Sequence, residues 1–253
     1  MNTTKEKLRA GRPVLGGWTL TGHPAVAEIM AAEGFDFLGV DLEHTPTSVA
    51  DFYHNVLAAK GTGCDVLARL PACDPVLAKQ VLDAGAAGSI VPSVNTPAEA
   101  AQSVAMAKFP PEGTRGASLC RATGFGRNFA GYFAQHNDQV VVVVMLEHIA
   151  AVRQADAILA TPGIDAVLIG PYDLSASMGL AGQLDHPDVL AAQQEILAAC
   201  RRHQVAPGIH VVPTDADEVR RRIGQGFRFI ACGLDTTFIR EGCRRMLQAR
   251  TEK

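Results

Sequence analysis

The sequence predicts a single α/β domain folded as a (β/α)8 barrel, and three observations predict it. Short apolar runs alternate with Ala-rich helical segments about eight times along the chain, the rhythm of a barrel of β/α units. The most apolar run, Val140 to Leu146, is unbroken and β-branched, as expected of a strand covered on both faces in a parallel sheet. The chain has 253 residues, 47% of them hydrophobic, and no linker, low-complexity tract or charge run divides it. Residues 1–253 are therefore read as one domain, with a doubly wound sheet as the alternative arrangement.

The strand candidates, in order, are Pro13 to Trp18, Phe35 to His44, Asp65 to Pro71, Gly88 to Val94, Val141 to Glu147, Asp165 to Pro171, Ala206 to Val212 and Phe227 to Asp235. Between them lie segments such as HPAVAEIMAAEG, DPVLAKQVLDAG, TPAEAAQSVAMAK and HPDVLAAQQEILAACRRH. Each opens on a capping or Pro-containing start and carries apolar residues at helical spacing, and several end near Gly. The longest departure is Phe109 to Asn137, rich in Gly, Arg and aromatic residues. It is read as a long loop of the kind that carries function.

Composition excludes several classes. A formal net charge of -3 gives no basic surface for nucleic acid. The run Arg220, Arg221 and Arg222 falls in a helical stretch and reads as a solvated face. The six cysteines show no metal-ligand spacing, and a chain of this size does not need disulfide staples, so reduced thiols in a cytoplasm are expected. The opening MNTTKEKLRAGR lacks the hydrophobic segment of a signal peptide, and no apolar run approaches the ~18 residues of a membrane span.

In a barrel, chemistry collects at the C-terminal ends of the strands. Those ends hold Trp18; Asp41, Glu43 and His44; Arg69; Val94 and Asn95; Glu147 and His148; Gly170, Pro171, Tyr172 and Asp173; His210; and Asp235. Glu147 and Asp173 end consecutive strands and could converge on a divalent cation, leaving positions open for water and a chelating 2-oxo acid. The alternative is that each caps a helix or pairs with an arginine. His44 is a candidate general base, with Asp41 placed to orient it. Arg69 lies inside an apolar strand and needs an anionic partner, either the substrate or Asp41 or Glu43. Amides after Gly170 could hold a carboxylate at a helix start. None of the lysines (Lys5, Lys7, Lys60, Lys79, Lys108, Lys253) ends a predicted strand, which argues against Schiff-base chemistry. No GxGxxG follows a strand, and the loops after the last two strands are not Gly-rich.

The strings GFDFLGVDLEHTP, LARLP, KQVLDAGAAGSIVPSVNT, FPPEGTRG, RATGFG, MLE and IGPYDLSASMG together resemble the HpcH/HpaI aldolase/citrate lyase family. More narrowly, they resemble its class II, metal-dependent 2-oxo acid aldolases. The resemblance runs in order along essentially the whole chain. It implies reversible retro-aldol cleavage of a 4-hydroxy-2-oxo acid to pyruvate (or hydroxypyruvate) and an aldehyde, through a metal-bound enolate. It implies a divalent ion (Mg, Mn, Co or Zn) on Glu147 and Asp173, Arg69 on the keto oxygen, His44 as base, and Asp83 as the partner of His44, with Asp41 kept beside it. It further implies carboxylate binding by the amides of Gly170 and Tyr172, with Trp18 near the keto group. A homo-oligomer is also implied, a hexamer built as a trimer of dimers, with the C-terminal helix exchanged from about Thr237 onward. The chain departs from the family at Met145, where a glutamine is often found, and at Tyr172, which replaces a small residue. Both departures bear on substrate identity. An acyl-CoA lyase like the citrate lyase β-subunit and a non-catalytic 2-oxo acid binding protein are the alternatives.

Overall fold

A computed structural model describes residues 3–250; the first two residues and the last three, Lys253 among them, lie outside the described residues. Eight parallel strands alternate with helices: β1 (Val14–Thr19), β2 (Phe37–Asp41), β3 (Asp65–Arg69), β4 (Gly88–Val91), β5 (Val141–Met145), β6 (Ala166–Leu168), β7 (Gly208–Val211) and β8 (Phe229–Cys232). Hydrogen-bonded neighbours run β6-β5-β4-β3-β2-β1-β8-β7. Parallel bridges Ala166↔Ala206 and Ile169↔Ile209 join the two remaining edges, with Val167 and Ile169 donating to Ala206 and Gly208 at 2.9 Å. The sheet thus closes into a (β/α)8 barrel, which excludes the doubly wound alternative.

The strand period of two sorts each run into an inner and an outer face. Outward residues such as Leu38, Val40, Val142 and Val144 pack under the helices. Inward residues Val14, Trp18, Phe37, Leu67, Ile90, Val141, Val143, Met145, Leu168 and Phe229 fill the barrel, with Phe37 stacked on Phe229 at 4.3 Å. Gly39 makes room for Trp18: a Cβ there would stand 2.5 Å from the indole Cε3. In β5 the inward positions are Val141, Val143 and Met145. The same parity carries Glu147 inward, a choice that an all-apolar run leaves open in sequence.

The bottom of the barrel is closed by α1 (Thr3–Arg9), a helix the sequence reading did not anticipate. Leu8 enters the interior, Thr4 N–H donates to Asp65 Oδ2 at 2.7 Å, and Lys5 pairs with Asp165 at 3.1 Å. The expected loop from Phe109 to Asn137 is a loop only in its first part. Its second part is α6 (Phe129–Gln139), whose rings Phe133 and His136 pack on Phe109. On α11 (Ala216–Gln225), Arg220, Arg221 and Arg222 form local pairs with Asp217 and Glu218. No helix among the described residues is long and apolar enough to cross a membrane.

Candidate active site

The C-terminal mouth of the barrel holds a cavity of about 230 Å³ lined by Trp18, Leu20, Asp41, His44, Arg69, Met145, Gly170, Pro171, Tyr172, Asp173, His210, Val212 and Leu234. That volume lies below the range typical of drug-sized ligand sites and suits a small metabolite. Strand parity explains the composition. Trp18, Asp41, Arg69 and Met145 each stand an even number of residues from an inward core residue on the same strand, Gly170 follows inward Leu168 by two, and His210 follows Ala206, which packs against the interior cluster, by four.

Asp41 is the hub. Its Oδ2 accepts from Trp18 Nε1 at 3.0 Å and from Arg69 Nη1 at 3.2 Å; its Oδ1 accepts from the backbone N–H of Glu43 and of His44, at 2.8 and 2.9 Å. Asp41 therefore positions the guanidinium, the indole and the chain at His44. It does not touch the His44 ring, so the sequence expectation that it orients that ring is replaced by this role. Arg69 is 5% exposed and pairs with both Asp41 and Glu43 Oε2, so both intramolecular partners foreseen for it are present. Its Nε remains a buried donor without a hydrogen-bond partner among the described residues.

Glu147 is 6% exposed. Its Oε1 accepts from Ser93 N–H at 2.8 Å and from Ser93 Oγ at 3.3 Å. Ser93, in the loop after β4, adopts a φ of 53°, a strained value for a residue other than glycine, and that turn aims its N–H at the carboxylate. Glu147 Oε2 is buried and has no hydrogen-bond partner among the described residues. Burial pushes the Glu147 pKa up, against lowering by the Ser93 N–H and by Arg69; Asp173 and Glu43 raise it further. Asp173 sits in the first turn of α9 (Pro171–Ser177), whose cap residue is Gly170. Among the described residues its carboxylate makes no hydrogen bond or ion pair, so neither capping nor pairing accounts for it. The two carboxylates converge over Gly170: a Cβ there would lie 2.7 Å from Glu147 Oε2 and 3.4 Å from Asp173 Oδ2. An orphaned buried carboxylate oxygen, a second uncommitted carboxylate and a glycine that keeps the space between them fit a hard divalent cation with water and substrate completing its shell. No group of three or more His, Cys, Asp or Glu side chains among the described residues is arranged to hold a metal, so the side chains offered to a cation here are these two carboxylates.

His44 stands at the mouth with its side chain 66% exposed and Nε2 3.6 Å from Glu43 Oε2. Asp83 is elsewhere. It ends α4 (Pro75–Ala84), which runs down the outside of the barrel, so it lies at the N-terminal end of the strands, where Arg115 Nη2 donates to its Oδ1 at 2.6 Å. The expected His44–Asp83 pair does not form within one chain. Tyr172 is half-exposed on the cavity rim. His148 caps α7 (Ile149–Arg153), accepting from Ala150 N–H at 3.0 Å, and Asp235 ties the loop after β8 to Thr19 and Thr21.

Sequence reasoning gave no role to Ser93 and His210, and offered Glu43 only as a partner for Arg69. Glu43 and His210 were visible as strand-end residues. Ser93 carried no signal, because its part depends on one backbone angle. His210 lies against Trp18, ring centroids 5.0 Å apart, with Nε2 3.4 Å from the Gly233 carbonyl. Burial pushes its pKa down to about 4, so the ring is neutral at physiological pH.

Comparison with known proteins shows the family to which the chain belongs. The chain is 36% identical over 245 residues to the 5-keto-4-deoxy-D-glucarate aldolase of Shigella sonnei (strain Ss046), covering 97% of this chain and 95% of that one. Among solved structures it is similar to an HpcH/HpaI aldolase/citrate lyase family protein from Burkholderia cenocepacia J2315, at TM-score 0.93, 35% identity and coverage of 98% and 99%. It is also similar to an HpcH/HpaI aldolase from Desulfitobacterium hafniense DCB-2, at TM-score 0.91, 30% identity and coverage of 98% and 96%. The model of the HpcH/HpaI aldolase/citrate lyase family matches residues 15–241, a span that holds every strand-end residue described above. The chain accordingly belongs to the HpcH/HpaI aldolase/citrate lyase family and is an enzyme, a carbon–carbon lyase of the aldolase kind.

Proposed function

We propose that the enzyme reversibly cleaves a 4-hydroxy-2-oxo acid to pyruvate, or its hydroxylated relative, and an aldehyde, with Glu147 and Asp173 holding a divalent cation such as Mg, Mn, Co or Zn. The observation that carries this reading is the unpartnered, buried Glu147 Oε2 facing Asp173 across Gly170. The relatives' named substrate supports the class, since a 5-keto-4-deoxy-aldarate is a 4-hydroxy-2-oxo acid when numbered from its keto end.

When bound, the ion supplies Lewis acidity that polarises the keto group. The chain's own groups supply the rest. Arg69, fixed by Asp41 and Glu43, offers its free Nε and fork to the keto oxygen and stabilises the negative charge that develops there. Backbone amides at Gly170 and Tyr172 seat the substrate carboxylate. His44, at the mouth, takes the proton of the C4 hydroxyl. The C3–C4 bond then breaks, the aldehyde departs, and the bonding pair becomes the enolate of the 2-oxo acid, which is reprotonated at C3. Trp18, Leu20, Val212 and Leu234 keep water from the enolate.

An exchanged C-terminal helix and a homo-oligomer belong to the same proposal. In α12 (Asp235–Leu247) only Asp235 is buried, while Ile239, Met246 and Leu247 are exposed. In such an assembly, Asp83 of a neighbouring copy is the candidate to reach His44. Light scattering of the purified protein reads the oligomer directly.

The test of the reaction is pyruvate release from a racemic 4-hydroxy-2-oxo acid by metal-stripped protein, before and after Mg or Mn is restored. Release that returns with the metal is expected. Release that ignores chelation removes the metal assignment, and no release with metal present removes the aldolase substrate class.

A further inference from the structure

Of the polar side chains lining the cavity, those of His210 and of Tyr172 on the exposed rim are given no task by the mechanism, and His210 is the one set into the wall. It stands on β7 at an inward position, over the face of Trp18, and the wall around it is otherwise Trp18, Leu20, Val212 and Leu234. An uncharged polar group in an apolar wall costs free energy unless something hydrogen-bonds it. Its Nε2 faces the Gly233 carbonyl at 3.4 Å, which requires the proton on Nε2 and leaves Nδ1 as an acceptor. Among the described residues nothing donates to Nδ1. Burial keeps the ring neutral, so it invites an O–H donor and offers no attraction to a second carboxylate.

Depth decides which half of the substrate meets it. The aldehyde enters and leaves past the mouth, where His44 and Tyr172 are exposed. The 2-oxo acid is the half held deep, against Arg69, and Arg69 is close enough to His210 to help hold the ring neutral. The part of the 2-oxo acid free of the carboxylate and the keto oxygen is carbon 3.

We infer that His210 reads the carbon-3 substituent of the 2-oxo acid, accepting a hydrogen bond from a hydroxyl there, so that the enzyme favours hydroxypyruvate-type donors over pyruvate. This rests on the aldolase reading above. It assigns a specificity residue and leaves the bond-making steps unchanged.

The experiment is aldol addition to one fixed acceptor, glycolaldehyde, with Mn supplied. The donors are pyruvate, hydroxypyruvate and 2-oxobutyrate, which carries a methyl in place of the hydroxyl. In the wild type, hydroxypyruvate is expected to exceed 2-oxobutyrate in kcat/KM. In His210→Leu the hydroxypyruvate-to-pyruvate ratio of kcat/KM falls about tenfold, the worth of one neutral hydrogen bond, mostly through KM. His210→Gln, which keeps an acceptor, recovers part of the ratio. Pyruvate turnover with an unchanged ratio in His210→Leu overturns the inference alone. Equal use of hydroxypyruvate and 2-oxobutyrate by the wild type overturns it even where the leucine variant does not fold. Absence of addition with every donor fells the aldolase reading, and this inference with it.

Discussion

Glu147→Gln separates the cost of the site from its use. In the metal-free protein Glu147 Oε1 is satisfied by Ser93, but Oε2 is buried without a partner and converges with Asp173 Oδ2 over Gly170. Glutamine keeps the acceptor for Ser93 and can put an N–H where the orphan oxygen was, directed at Asp173. Relief of one unsatisfied buried acceptor and one like-charge contact is worth about 1–2 kcal/mol. At about 2–4 °C per kcal/mol for a chain of this size, the metal-free variant should melt roughly 2–8 °C above metal-free wild type. Metal reverses the order: at a hundredfold excess over Kd, a bound ion adds about 2.7 kcal/mol to the wild type and little to the variant. Activity should fall at least a hundredfold, the scale on which loss of a transition-state electrostatic partner is felt. The assay is differential scanning fluorimetry with chelator and with a Mn titration, beside aldol turnover. A metal-free variant that melts below wild type, or equal metal-induced shifts in the two proteins, would refute the assignment of this carboxylate.

Three further outcomes follow from the geometry. Gly39→Ala places a methyl against the Trp18 indole and should displace it from Asp41, lowering kcat/KM about tenfold or more; the chain's single tryptophan makes its fluorescence maximum the direct reporter. Asp41→Asn removes the charge that holds buried Arg69 and should cost about 2–3 kcal/mol in urea unfolding with at least a hundredfold loss of kcat/KM, whereas an unchanged unfolding midpoint would count against the hub role. His136 is held neutral by burial and by Arg115, its pKa pushed from 6.5 down to about 4, so the unfolded chain takes up a proton that the native state refuses. Its contribution to stability is complete above pH 6.5 and is lost as pH falls toward about 4, on the order of 3 kcal/mol in full. His136→Gln should flatten that acid limb in part, since His210 titrates with the same sign; an identical limb in the variant would show that the ring is not so held.

The sequence by itself determined the parallel β/α architecture, because alternation of eight apolar runs with helical segments leaves few ways to bury both faces of each strand, while closure into a barrel rather than a doubly wound sheet was decided by the pairing of its two edges. It also determined the inventory of the mouth, since Glu147, Asp173, Arg69 and His44 each follow a readable run. Only the tertiary structure decided how that inventory is used. The all-apolar β5 hides the parity that turns Met145 and Glu147 inward, and closure of the barrel sets it. Asp41 could have faced His44 or Arg69 from sequence; the neighbouring strand brings Arg69 into register with it, and the turn after β2 leaves only the backbone of His44 within reach. The family resemblance pairs Asp83 with His44, but within one chain helix direction carries Asp83 to the far end of the barrel, where Arg115 donates to it. Ser93 and His210 acquire meaning from contacts more than 50 and nearly 200 residues away in sequence, with Glu147 and with Trp18. Local patterns record which face a residue can bury; they carry no record of what the chain brings opposite it.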